Sequence, residues 1–110
     1  MALVSQTTHV IVSPDSAPAR PRVAVVGEID LASAGVFAAE LAAVLDRQPV
    51  THLTVDLSCV GFLAAAGAGV LIDLVEETAR RGIGLEIRCA PTGTAATVLR
   101  LCGLSVAAVA

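Results

Sequence analysis

The chain has 110 residues, a net charge of −3 and 55% apolar side chains. A chain of this length makes one domain, here taken as residues 1–110, that buries about two thirds of its unfolded surface, and its apolar content excludes a disordered chain. Phe37 and Phe62 are the only aromatic residues and the seven basic residues are all Arg, scattered except for Arg80 and Arg81; this excludes a single-strand binder built on stacking platforms and a basic nucleic-acid stripe.

LVSQTTHVIV (Leu3–Val12) has the β-branched content and partial alternation of a strand. SPDSAPARP (Ser13–Pro21) is a connector, because its prolines cannot sit inside a ladder. RVAVVGEI (Arg22–Ile29) is a second strand, and its near-continuous apolar run predicts a central position buried on both faces. The first two strands are expected to pair antiparallel.

From Asp30 to Arg47 the period changes. Ala34, Phe37, Ala38, Leu41, Val44 and Leu45 recur at helical spacing and define one apolar face, with Ser33 as the expected N-cap. THLTVDL (Thr51–Leu57) is a third strand, with His52, Thr54 and Asp56 on one face and Leu53, Val55 and Leu57 on the other. Cys59 to Ala66 then reads as a turn. A second helix runs from about Gly67 to Arg81, with Val70, Leu71, Leu74, Val75 and Thr78 inward and Gly82 at its C′ position. IGLEIRC (Ile83–Cys89) is a fourth strand, and a short helix from Thr94 closes at Gly103. LSVAAVA (Leu104–Ala110) is a last short strand or an apolar tail, which could also pair two copies of the chain.

The order is β-β-α-β-α-β-α with an optional final β. Strand–helix–strand crossovers imply parallel pairing, so the expected fold is α/β: a mixed sheet of four to five strands with helices on one face.

The longest charge-free run, Leu57–Ile72, is shorter than the roughly 20 residues of a spanning helix, and no basic residue precedes Arg20, as a signal peptide would require. The expectation is a cytoplasmic protein without membrane insertion. Cys59, Cys89 and Cys102 are odd in number and lack metal-type spacing. They read as small core residues, with a redox pair of Cys59 and Cys89 as the alternative, since both follow predicted strands.

No catalytic, metal or cofactor constellation emerges. His9 and His52 lie in strands, Glu76 and Glu77 on a solvated helix face, and no Ser/His/Asp arrangement forms at a turn. GAG at Gly67–Gly69 lacks the Lys-Ser/Thr of a phosphate-binding loop and is explained as well by close packing of helix on sheet. An enzyme would have to rest on Asp30, Asp56 or Cys59. The stronger feature is a juxtaposition. If the second and third strands are parallel, Asp30, at the end of GEID (Gly27–Asp30), emerges on the same sheet edge as Cys59 to Ala66. Asp30 then serves as a helix cap, as a partner contact, or as both.

VAVVGEIDLASAGVFAAEL, HLTVDLSCVGFLAAAGAGVL, ARRGIGLEIRCAP and VLRLCGL, in this order and spacing over nearly the whole chain, resemble the STAS domain of bacterial anti-sigma factor antagonists. The resemblance implies a protein that binds a kinase-fold anti-sigma factor and releases the sigma factor, and that is switched off when its partner phosphorylates a serine at the start of the second helix. In this family that segment resembles F-[IL]-D-S-[ST]-G. Phe62, Leu63 and Gly67 match it, while Ala64, Ala65 and Ala66 stand where the family has Asp, the phosphorylatable Ser, and Ser or Thr. Asp30 matches the family's acidic residue after the second strand. The resemblance thus implies a partner-binding surface of Gly27, Asp30, Ser58, Ala64, Ala65, Ala66 and Gly67, docked there without being switched there. Ser58 is the nearest hydroxyl and is expected to hydrogen-bond the turn. The alternative is a scaffold or ligand-sensing module, akin to those that bind nucleotides or assist lipid-transport ATPases.

Overall fold

Strand β2 (Arg22–Ile29) organises the sheet. The computed structural model describes residues 9–14, 16–47, 49–104 and 107–108. In it β2 pairs antiparallel with β1 (His9–Val12) and parallel with β3 (His52–Leu63). β3 continues in parallel to β4 (Gly84–Cys89), and β4 to the two-residue β5 (Ala107–Ala108), which makes a mixed five-stranded sheet in the order β1-β2-β3-β4-β5. The crossovers are α1 (Ala34–Asp46), α2 (Ala65–Arg81) and α3 (Thr94–Leu101). This is the α/β order read from the sequence. The expected start of the first strand, Leu3 to Thr8, lies outside the described residues.

The helices share one core with one face of the sheet. Phe37, Leu41 and Leu45 of α1, Leu71 and Leu74 of α2, and Leu99 of α3 belong to a single buried cluster with Val23, Val25, Leu53, Val55, Leu57 and Ile87. The expectation that β2 is buried on both faces is corrected. Its burial alternates: Val23, Val25 and Ile29 are covered, whereas Val26 is 39% exposed and Arg22 and Glu28 face solvent. With every crossover packed on one face, the other face of β2 meets water, and small aliphatic residues are tolerated there.

β3 is longer than its expected bounds. It runs through Leu63, so Cys59–Leu63 is strand and only Ala64 separates it from α2. Two register shifts explain why the pattern hides this. Between Ala24↔Asp56 and Val26↔Cys59, and again between Gly27↔Val60 and Ile29↔Leu63, β3 advances three residues while β2 advances two. Each bulge adds a residue and breaks the period of two, so burial falls at Leu57, Val60 and Leu63 instead of alternating. Asp56 is therefore a mid-strand residue and not a strand end: its Oδ1 accepts the Ser58 N–H at 2.8 Å inside the first bulge.

Candidate functional site at the ends of β2 and β3

Parallel pairing brings the C-terminal ends of β2 and β3 side by side, with Ile29 in register with Leu63. The Ala64 N–H donates to the Ile29 carbonyl at 2.8 Å. This bond extends the ladder by one step and fixes the β3–α2 junction against the β2–α1 junction.

On the β2 side, Asp30 and Ser33 bond reciprocally. The Asp30 Oδ1 accepts the Ser33 N–H at 2.9 Å and the Ser33 hydroxyl at 3.0 Å, while the Asp30 N–H donates to Ser33 Oγ at 3.0 Å. The Asp30 carbonyl also accepts the Ala34 N–H at 3.0 Å, so helical bonding begins at Asp30. The expected N-cap, Ser33, caps nothing with its side chain. Asp30 does the capping and Ser33 answers it, in the manner of a capping box. The donated bonds, first the backbone N–H of Ser33 and then its hydroxyl, hold the Asp30 carboxyl below its ordinary range. Gly27 has its own backbone task at the second bulge, where its φ of 109° is closed to most side chains.

On the β3 side, Ala64 is the N-cap of α2, with extended backbone and no side-chain bond, and the first turn contains no acid. The N–H groups of Ala65, Ala66 and Gly67 lack intrahelical acceptors. Ala65 is exposed, and Ala64 and Ala66 are half-buried. Gly67 is buried for a steric reason. A Cβ there would lie 2.4 Å from Ile29 Cγ2 and 2.6 Å from Leu63 Cδ1, so only glycine lets α2 start this close to β2 and β3. The same explanation fails for Gly69, where a Cβ meets nothing within 4 Å.

The corner therefore joins Asp30, Ala64, Ala65, Ala66 and Gly67. Ser58 lies further back, exposed in β3, with its N–H engaged by Asp56. Cys59 is an exposed strand residue, in register with the solvent-facing Val26. Cys89 is 2% exposed in the core, where burial first, and then the charge of Asp56, pushes its thiol up. The reading of all three as small core residues is corrected: it holds for Cys89 alone, since Cys59 is exposed in β3 and Cys102 is exposed beyond α3, and the alternative pair, Cys59 and Cys89, are free thiols on opposite faces of the sheet. Sequence reasoning missed how tightly Ser33 holds Asp30, although the D-x-x-S spacing of Asp30 and Ser33 was a legible sign of it.

The corner presents one fixed carboxylate, a helix start and methyl groups, without a nucleophile at the helix start. Among the described residues no group of three or more His, Cys, Asp or Glu is arranged to hold a metal, and no helix is long and apolar enough to cross a membrane.

The family model described as "Mlab, STAS domain" matches residues 12–107, so the chain belongs to the STAS domain family. Solved structures are similar to it, two of them informative here. One is an anti-sigma factor antagonist from Mycobacterium paratuberculosis, 25% identical, with a TM-score of 0.76 over 91% of this chain and 81% of that one. The other is the anti-sigma factor antagonist SpoIIAA in its unphosphorylated form, 16% identical, with a TM-score of 0.72 over 87% of this chain and 82% of that one, a likeness of fold. No curated protein sequence matches the chain.

Proposed function

We propose that this STAS domain is an anti-sigma factor antagonist: it binds a kinase-fold anti-sigma factor through the corner built on Gly27–Asp30 and Ala64–Gly67, with Ser58 at its margin, and so releases the sigma factor. The observation that carries this reading is the Ile29–Ala64 hydrogen bond, which makes one preorganised surface of two sequence-distant junctions. Preorganisation lowers the ordering cost of association, and the small side chains of Ala64–Gly67 leave room for another backbone.

In this reading the partner's kinase activity has no target at the corner. Ala65 stands where the resemblance places the phosphorylated serine, and an alanine methyl keeps the surface as small and uncharged as the unmodified serine. A phosphate would add about −1.5 to −2 charges to such an interface; this chain never acquires it there. The antagonist is then permanently active and is governed by its own concentration.

The test is binding to purified kinase-fold anti-sigma factors from the same cell. A complex that is lost on Asp30→Lys and on Ala65→Glu supports the surface. A complex indifferent to both places the interface elsewhere.

A second reading is the scaffold alternative: a STAS module that serves as an accessory of a transport ATPase. The same corner would dock the ATPase subunit instead. Binding to such a subunit, with none to anti-sigma factors, selects this reading.

A further inference from the structure

The edge of the sheet opposite the docking corner holds a cleft of about 560 Å³, within the range of small-molecule sites, bordered by Ser16, Arg20, Arg22, His52, Thr54 and Glu86. We infer that this cleft binds the phosphoryl group of a small phosphorylated molecule through Arg20 and Arg22, independently of the anti-sigma surface.

Arg80 and Arg81 pair with Glu77, Arg81 also with Asp46, and Arg88 with Glu86. Arg47 is the C-cap of α1 and Arg100 lies in the last turn of α3, where a cation complements the helix dipole. Only Arg20 and Arg22 have neither an ion pair nor a helix end among the described residues, and both border the same concavity. In a chain of net charge −3, two unpaired guanidiniums facing one cleft are a local excess of positive charge, and the planar fork of arginine suits the oxygens of a phosphoryl group.

The cleft is also held in place. The carbonyl of Ala19 accepts the N–H of Thr51 at 2.7 Å, the N–H of His52 at 3.3 Å and the hydroxyl of Thr51 at 3.1 Å, and the carbonyl of Pro21 accepts the Thr54 N–H at 3.1 Å. The backbone on either side of Arg20 is thus tied to the start of β3.

The remaining groups narrow the donors. The Ser16 hydroxyl donates to the Ser13 carbonyl at 2.7 Å. Thr51 Oγ1 gives its one proton to Ala19, so at 3.0 Å it accepts from Nδ1–H of His52. The guanidiniums, with the Thr54 hydroxyl, are left to bind the anion. Among the described residues Glu86 is the one carboxylate on the rim, and Arg88 already holds it at 3.3 Å. Among the described residues no Phe, Tyr or Trp borders the cleft, so recognition is of phosphoryl oxygens and not of a stacked base.

The experiment is a titration of the full chain, followed by amide NMR at fixed ionic strength, with inorganic phosphate, pyrophosphate and ATP in turn. The inference expects saturable shifts centred on residues 16–22 and 52–54. It expects the dissociation constant to rise by about tenfold or more in Arg20→Gln/Arg22→Gln and to stay within about twofold in Arg47→Gln. Tighter binding of pyrophosphate and ATP than of phosphate assigns the site to polyphosphates; equal binding assigns it to a single phosphoryl group. Shifts that do not saturate, that centre on residues 64–67, or that survive the double substitution overturn it. Arg20 and Arg22 are both exposed, and unchanged dispersion of the core resonances verifies that the variant is folded.

Discussion

The carbonyl of Ile29 accepts the Ala64 N–H at 2.8 Å, so the entrance to α1 is tied through the backbone to the entrance to α2. Separation of β2 from β3 at this end would carry Asp30 away from Ala65. The corner is therefore a property of the sheet and not of either loop.

Gly67 tests the tightness of that corner. Gly67→Ala places a methyl 2.4 Å from Ile29 Cγ2, an overpacking that costs about 1–3 kcal/mol. Thermal unfolding should fall by roughly 4–8 °C per kcal/mol for a domain of this size. Gly69→Ala meets open space and should raise stability by up to about 1 kcal/mol through helix propensity. Equal melting temperatures for the two variants would contradict the packing described.

Asp30 gives the corner a pH signature. Its carboxyl is held below its ordinary range in the folded chain by the Ser33 bonds, while the unfolded group titrates near about 3.9. A depressed folded value stabilises above the unfolded one, and the contribution is lost as pH falls from about 4 through the lowered value. Asp30→Asn should therefore flatten the acid limb of stability below about pH 4. Ser33→Ala, which removes the buried partner, should do the same and cost about 1 kcal/mol at neutral pH. Parallel acid limbs for wild type and Asp30→Asn would show that the bonds do not hold the carboxylate.

The thiols separate by burial. Cys59 and Cys102 are exposed and Cys89 is buried. Alkylation of the reduced native chain should add two groups by intact mass, and alkylation in denaturant a third. Rapid modification of all three in the native state would contradict the placement of Cys89 in the core.

The strand and helix order was legible because the near-continuous apolar run of Arg22–Ile29 gives way to helical spacing in Ala34–Leu45. The end of β3 was not. Two bulges put Val60 and Leu63 on the buried side at intervals of three, a spacing that belongs to neither a regular strand nor a helix, so Cys59–Leu63 read as a turn. The open face of β2 was hidden for a different reason: Ala24 and Val26 are apolar, yet the helices leave them uncovered. Asp30 and Ala65 were both legible as parts of one edge, because that needed only parallel pairing. The Ile29–Leu63 wall that demands glycine at position 67 needed coordinates.

The central claim is that the corner binds without being switched. The most direct measurement is the affinity of the chain for a kinase-fold anti-sigma factor in ADP and in ATP, with intact mass read afterwards, beside Ala65→Ser. The account predicts one affinity in both nucleotides and an unmodified wild type, whereas Ala65→Ser gains a phosphate in ATP and releases its partner. A wild-type chain that gains a phosphate and dissociates in ATP would contradict it.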